Sequence, residues 1–362
     1  MRVLLVNDHP PGASGGVEVH LALLCDALRQ AGDEVEVASP AVDRRGLRRL
    51  RDVWDREARR QVEASAQRHR ADIVHHHNVL RELSPSVLTA SPGLPRVVTV
   101  HDHRLLGTPD AGVGPLTRLG AALTAAVARR AVREADAVVA VDDATAGLLT
   151  AAGFPSVERI DLFAADPGPP VAPAGEGVEI VFAGRLAADK GAAELIEAFV
   201  RVAPAHPEAR LVLLGDGPLR GSIEAAAAAL PGRIEVLGAR PHGEALTRMA
   251  TARAVAVPSV PGRRPETGPQ TVLEAALRAR PVVTSAGLPL ARLVEQAAAG
   301  AVVPPGDVDA LAAAIEHLLH HPEEATAAGC RARDAALARH VPAVVVPELR
   351  ALYARLLGRR ST

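Results

Sequence analysis

A Gly-Arg-x4-Lys run from Gly184-Arg185 to Lys190 carries the strongest chemical signal in this sequence. It begins where the β-branched run VEIVFAG (Val178–Gly184) ends, and it leads into the helical run GAAELIEAF. Two cations placed there would stand beside a helix N-terminus, whose unpaired N–H groups and positive dipole end favour anions. A diphosphate is the group that such a set suits. The competing reading is a solvated surface pair. Against it stands residue usage: of 41 basic residues, Lys190 alone is lysine. Surface bases are otherwise written as arginine, so this position favours a compact ammonium over a planar guanidinium.

Glu266 and Glu274, eight apart, form a second constellation. Glu266 lies in the loop RRPETGP, with Pro269 suited to the first turn of the helix that follows. Glu274 falls among Val272, Leu273, Ala275, Ala276 and Leu277. A carboxylate on so apolar a stretch needs a partner or a ligand. Decoration of the helix dipole accounts for Glu266 tolerably and for Glu274 poorly.

Other motifs are weaker. Gly12-Ala13-Ser14-Gly15-Gly16 matches G-x-S-x-G, but the loop follows the first strand and carries Pro10 and Pro11, so a nucleophile elbow is not expected. Nor is it G-x-G-x-x-G, which leaves a nicotinamide cofactor unsupported. What remains is Gly15-Gly16 opening a helix and letting backbone approach an anion. His75, His76 and His77 invite zinc, yet neighbours on a strand point to opposite faces and no spaced partner completes a tetrahedral set. Asp307-Val308-Asp309 precedes the helical run ALAAAIEHLL, where Asp307 reads as an N-cap rather than a metal ligand. No metal or other cofactor is expected.

These residues need two sheets to position them. Alternation of strand and helix runs through VLLV (Val3–Val6), a helical period over Val17–Gln30, EVEVAS (34–39), ADIVHHH (71–77), RVVTVH (96–101) and DAVVAV (136–141). The stretch ERIDLFAADPGPPVAPAGEG, ending at Gly177, has no period and reads as an interdomain linker. A second alternating series follows, with VEIVFAG (178–184), ARLVLLG (209–215), RIEVLG (233–238), RAVAVPS (253–259) and PVVTSA (281–286). The tail VPELRALYARLLGRR reads as a final amphipathic helix. The expected fold is α/β: two Rossmann-like, doubly wound parallel-sheet domains facing across a cleft, with ligands outside the carboxyl ends of the strands. The expected boundaries are 1–165, with helix 345–362 packing back on it, and 166–344.

Length and composition agree. The 362 residues suit two domains, and 48% hydrophobic with 23% charged residues is a globular balance. A net charge of -1 gives no electrostatic case for nucleic acid. No apolar run reaches the ~18 residues of a membrane span, and MRVLLVNDHPP is too short in its apolar part for a signal peptide. Cys25 and Cys330 read as two buried thiols in a reducing cytoplasm. Residues 44–60 hold eight arginines against three acids, with Leu47, Leu50, Val53 and Trp54 at helical spacing. A peripheral contact with the inner face of an anionic membrane is one reading of that stretch. Packing of the stripe on the sheet is the preferred one.

With these residues in hand, the chain resembles glycosyltransferase family 4, retaining enzymes of the GT-B fold. The likeness runs over nearly the whole length: Gly15-Gly16, IVHHHN, VVTVHDH, GRLAADKG, LVLLGDGP, the Glu266-x7-Glu274 pair, ARPVVTS and VVPPGD occur in family order. The resemblance implies that Arg185 and Lys190 bind the donor diphosphate, that Glu266 holds donor-sugar hydroxyls, and that Glu274 holds the ribose. It implies that His101 lies near the transferred sugar and that Gly15 and Gly16 approach the phosphates. Gly268-Pro269 stands where Phe-Gly is more usual. Pro269 removes one backbone donor, leaving Gly268, Gln270 and Thr271 to meet sugar or phosphate. The segment RIDLFAADP also lacks the usual Pro-Asn-Gly signature.

The implied activity is transfer of a sugar from a nucleoside-diphosphate sugar, UDP- or GDP-hexose, to a hydroxyl acceptor (small molecule, glycan or lipid-linked) in cell-envelope or secondary-metabolite biosynthesis. It would proceed in the cytoplasm, without a metal and with retained configuration. Two rivals stay open: a sugar-nucleotide epimerase of the same fold, and a non-catalytic sugar-nucleotide-binding scaffold.

Overall fold

A computed structural model describes the chain except residues 12–14, 40–53, 81–82, 102–104, 106–114, 261–268 and 361–362. The chain divides into two compact units, one of 1–163 with 342–360, the other of 164–260 with 269–341.

The first unit is built on β1 (Arg2–Val6), β2 (Glu34–Ala38), β3 (Ile73–His76), β4 (Arg96–Val100), β5 (Ala137–Ala140) and β6 (Val157–Arg159). They form one sheet in the order β2-β1-β3-β4-β5-β6, and every pair is parallel. Parallel strands need crossovers. Here these include α1 (Gly16–Gln30), α2 (Arg56–His69), α3 (Pro115–Arg133) and α4 (Asp143–Ala151). Alternation along each strand feeds two cores. Val3, Leu5, Ile73, Val97 and Val139 meet Leu21, Leu24 and Leu28 of α1 on one face. Leu4, Val6, Val74, Val98 and Val138 meet Ala58, Val62 and Ala66 of α2 on the other.

The second unit repeats the plan with β7 (Glu179–Ala183), β8 (Arg210–Leu214), β9 (Ile234–Gly238), β10 (Ala254–Val257), β11 (Val282–Ser285) and β12 (Gly300–Val303). The order is β12-β11-β10-β7-β8-β9, again all parallel. Its helices are α5 (Ala192–Val202), α6 (Arg220–Ala227), α7 (His242–Ala250), α8 (Gln270–Leu277), α9 (Ala291–Gln296), α10 (Val308–His320) and α11 (Pro322–Arg339). Asp307 caps α10 as expected, its carboxylate accepting from the Ala310 N–H at 2.9 Å.

The last helix, α12 (Pro342–Arg360), belongs to the first unit. Val345, Val346, Leu349, Leu352, Tyr353 and Leu356 complete the core that α1 begins. Each such fully buried apolar side chain is worth about 1.5–3 kcal/mol relative to exposure. Arg350 pairs with Asp33 at 2.8 Å, and Asp33 also takes the N-terminal ammonium at 2.8 Å.

The boundary between the two units, at Phe163/Ala164, falls within the stretch read as a linker. That stretch is docked: Leu162, Phe163 and Ala164 are buried, Arg253 donates to the Gly177 carbonyl at 2.7 Å, and Arg280 donates to that of Ala172. Its proline and glycine content removed the periodic signal without removing the contacts. Cys25 is buried, but Cys330 is exposed. Each sheet has one strand the pattern did not reveal, β6 and β12, both at an edge. The basic segment lies mostly outside the described residues; of its apolar stripe only Trp54 is described, and it is 38% exposed. Among the described residues no helix is long and apolar enough to cross a membrane.

Candidate functional site

In a doubly wound sheet the crevice for a ligand opens where the strand order reverses. In the second unit that point lies between β7 and β10, and the Gly184–Gly191 loop leaves β7 there. The loop is held from both sides. Toward β8, Gly184 N–H donates to Leu214 O and Leu186 N–H to Asp216 O, both at 2.9 Å. Toward β10, Val260 N–H donates to Asp189 O at 3.0 Å. Arg185 is 43% exposed and gives one nitrogen to both carboxylate oxygens of Asp189, each at 2.9 Å. Asp189 therefore sets the direction of the guanidinium. Lys190 ends a single tight turn, Ala188–Lys190, and Gly191 then starts α5 without a side-chain cap. Cations thus precede a helix N-terminus that no side chain caps, an arrangement suited to an anion.

Helix α8 follows β10 on the other side of the reversal. It starts at Gln270, with Pro269 as its N-cap residue. Thr271 Oγ1 donates to Ala183 O at 3.3 Å, which joins the start of α8 to the end of β7. Gln270 and Glu274 are buried. Glu274 has the partner its apolar surroundings require: His242 Nε2, at the start of α7, lies 2.7 Å from its Oε1. The carboxylate hydrogen bond raises the His242 pKa above its usual value, against burial, which lowers it. Arg278, one turn on, donates to the Glu274 carbonyl at 2.9 Å. The structure therefore brings Arg185, Lys190, Gln270, Thr271 and Glu274 to one end of one sheet. Glu266 and Gly268 lie outside the described residues.

In the first unit the reversal lies between β1 and β3. Gly15 is the N-cap residue of α1 and Gly16 its first residue, with open space where a side chain would stand. At Gly15 a Cβ would overlap the Glu18 carboxylate, so an acidic group already lies at this helix start. His101 follows β4, and its Nε2 lies 3.0 Å from Nδ1 of His77, which follows β3. His75 and His77 share a face with ring centroids 4.2 Å apart, while His76 turns away to the Val87 carbonyl at 3.0 Å. His20 of α1 joins the group, 5.5 Å from the His101 ring. Among the described residues no three His, Cys, Asp or Glu side chains are grouped as metal ligands.

Burial keeps these imidazoles neutral: it pushes His20 down to about 4, His75 to about 3, His76 to about 4, and His77 well below its usual value. Tyr353 is held as the phenol by burial. Its hydroxyl lies 2.5 Å from His75 Nδ1, and His75 Nε2 lies 2.7 Å from Thr99 Oγ1, so both nitrogens of the neutral ring are hydrogen-bonded. His20 and His242 were not singled out from the sequence, and His77 was weighed there only as part of a possible zinc set. Their only sequence signal is that each lies next to, or one turn beyond, the carboxyl end of a strand or a glycine loop.

The neutral row sets an acid limit. Unfolded, these rings titrate near 6.5; folded, His20, His75 and His76 take a proton only at about 3 to 4. Between those values the unfolded chain binds more protons, so stability present above pH 6.5 is lost as the pH falls. Peptides spanning β1 and β3 are expected to exchange amide hydrogens faster at pH 5 than at pH 7.5, after correction for intrinsic rates. Equal protection at both would contradict burial of neutral rings.

Two sequence profiles match the chain. Residues 14–163 match the one described as Glycosyltransferase Family 4, and residues 170–335 the one described as Glycosyl transferases group 1. Among curated proteins, the alpha-D-kanosaminyltransferase of Streptomyces kanamyceticus is 28% identical over 66% of this chain and 65% of its own length. The 2-deoxystreptamine glucosyltransferase of the same organism is 28% identical over 76% of each. Among solved structures, a sucrose-phosphate synthase from Thermosynechococcus elongatus superposes with a TM-score of 0.76 at 20% identity, covering 99% of both chains. HepE of Anabaena, solved in complex with UDP, superposes with a TM-score of 0.73 at 20% identity, covering 98% of this chain and 100% of its own. Those two likenesses bear on the fold, which is of the GT-B type.

Proposed function

Since the chain belongs to glycosyltransferase family 4, we propose that it is a retaining hexosyltransferase that moves a sugar from a nucleoside-diphosphate sugar to a hydroxyl acceptor. The observation that carries the reading is the Gly184–Gly191 loop, which holds Arg185 and Lys190 at the strand reversal of the second unit, where α8, the helix of Glu274, also begins. The HepE structures with UDP and UDP-glucose support a uridine nucleotide as the first donor to test. The 2-deoxystreptamine glucosyltransferase of S. kanamyceticus supports a hydroxylated small molecule as the first acceptor to test.

The chemistry follows from charge. As the glycosidic carbon–oxygen bond breaks, positive charge spreads over the sugar and negative charge collects on the departing diphosphate. Arg185, aimed by Asp189, and Lys190 stabilise that negative charge, and preorganised cations outside bulk water are worth far more than mobile ones. The acceptor hydroxyl attacks from the face the diphosphate leaves, and a leaving-phosphate oxygen takes its proton. Glu274 holds the ribose, Glu266 the sugar hydroxyls, and His101 lies by the transferred sugar. Gly15, Gly16, Gly268, Gln270 and Thr271 contribute contacts to sugar or phosphate. The first unit binds the acceptor and the second the nucleotide. The setting is cytoplasmic, and any membrane contact runs through residues 44–60.

Purified protein offered a panel of UDP- and GDP-hexoses, read by mass spectrometry, is expected to release the nucleoside diphosphate from at least one donor. A rearranged but intact sugar nucleotide would support an epimerase instead, and binding without turnover would support a scaffold. Because two side-chain cations take the diphosphate charge, activity after EDTA treatment is expected to remain near its untreated level. Loss on chelation that Mg²⁺ or Mn²⁺ restores would overturn metal independence.

A further inference from the structure

The contact between His242 and Glu274 has no counterpart in the roles assigned above. Glu274 is almost fully buried on an otherwise apolar stretch of α8, and an isolated carboxylate there would be costly. His242 meets it from α7, with 43% of its own side chain exposed. The contact uses one carboxylate oxygen, Oε1, of two. The geometry points to His242 as a positioning residue of the donor site: it holds Glu274 Oε1 so that Oε2 takes a ribose hydroxyl, and its charge links nucleotide affinity to pH. This inference rests on the assignment of Glu274 to the ribose.

The link arises from charge balance. With His242 protonated, the pair is neutral overall and offers the ribose an acceptor without adding negative charge near the diphosphate. With His242 neutral, it still donates one hydrogen bond, but a bare carboxylate then stands near an anionic ligand. Among the described residues the charged groups around the imidazole are few. From α8 they are Glu274, which raises its pKa, and Arg278, which opposes that rise. On β7, which also packs against α7, Glu179 is taken by Arg248 at 2.6 Å. On α7 itself Glu244 lies two residues on, and Arg240 precedes the helix. The Glu274 hydrogen bond is the largest of the influences on His242, so the ring gains its proton at a pH above the ordinary 6.5.

Calorimetric titration with UDP and GDP between pH 6.0 and 8.5 tests this on the full chain. Each variant is compared with wild type at the same pH, so that titration of the nucleotide phosphate cancels. Wild-type affinity is expected to fall about three- to tenfold relative to His242→Gln as the pH rises, a size suited to one partly screened charge. His242→Lys, which keeps a positive charge across the range, is expected to hold the affinity of the low-pH wild type. In wild type, binding near the His242 midpoint should take up protons, read as a dependence of the binding heat on the buffer. A constant wild-type to His242→Gln ratio across the range would overturn the role of His242. Should His242→Gln melt early, the comparison of wild type with His242→Lys carries the same test. Glu274→Gln separates the two readings: if it binds nucleotide as wild type does, the ribose assignment fails. If it binds weakly while His242→Gln tracks wild type at every pH, only the inference about His242 fails.

Discussion

Replacement of Lys190 by alanine is expected to lower kcat by about 10²–10³, the usual cost of losing a dedicated group that stabilises developing negative charge. The side chain ends the Ala188–Lys190 turn, directly before the uncapped start of α5. Its loop is tied by backbone hydrogen bonds to the loops after β8 and β10. Truncation therefore removes a charge while keeping the backbone bonds that hold the loop, and a retained cooperative melt should accompany the loss of rate. Lys190→Arg should also be impaired. A guanidinium is planar and longer, and Arg185 with Asp189 already occupies the neighbouring direction. Steady-state rates with a turned-over UDP- or GDP-sugar decide the matter. Wild-type rates in the arginine variant would defeat the inference from a lone lysine among forty arginines.

The second large effect is expected at Gly191. Its φ of 71° lies in the left-handed region, and a Cβ there would overlap the backbone carbonyl of Pro258. Alanine pays roughly 1–2 kcal/mol for that conformation alone. The overlap is with backbone, so relief requires the loop after β10 to move away. That motion breaks the Val260 to Asp189 hydrogen bond and releases Arg185 and Lys190 from their setting. Gly191→Ala is expected to destabilise the second unit by about 2–4 kcal/mol, the range of strained or overpacked substitutions. Nucleotide affinity should fall with it. Gly243→Ala serves as the control, because it lies in α7 with open space around it and should be neutral or slightly stabilising. Equal chemical-denaturation midpoints for Gly191→Ala and wild type would show that the tight turn is not what holds the loop.

Much of the fold was legible because the strands buried on both faces of a parallel sheet are written as continuous β-branched runs. VLLV, RVVTV, EIVFA and RLVLL all became strands within a residue or two of the expected bounds. The missed strands each lie at one edge of a sheet, whereas the opposite edges, β2 and β9, were legible. β6 is the three residues Val157–Arg159, of which none is fully buried, and β12 begins on Gly300. An edge strand pairs on one side only, so it needs neither the length nor the apolar content that a pattern detects.

The candidate site divides in the same way. Gly184, Arg185 and Lys190, the buried Glu274 and the Asp307 cap are local signals, since each depends on a few neighbouring residues that set a turn, a helix start or an apolar face. The sequence alone therefore determined the alternation of elements, the anion-suited loop and the need of Glu274 for a partner. It could not identify that partner. His242 and Glu274 are 32 residues apart, His77 and His101 are 24, and His75 and Tyr353 are 278. Such pairs meet only after the crossovers have set the strand order, which brings the carboxyl ends of β1, β3 and β4 together and returns α12 to the first sheet. Local periodicity sets the conformation of each element, whereas which elements become neighbours is decided by burial of whole faces, a property no short window of sequence contains.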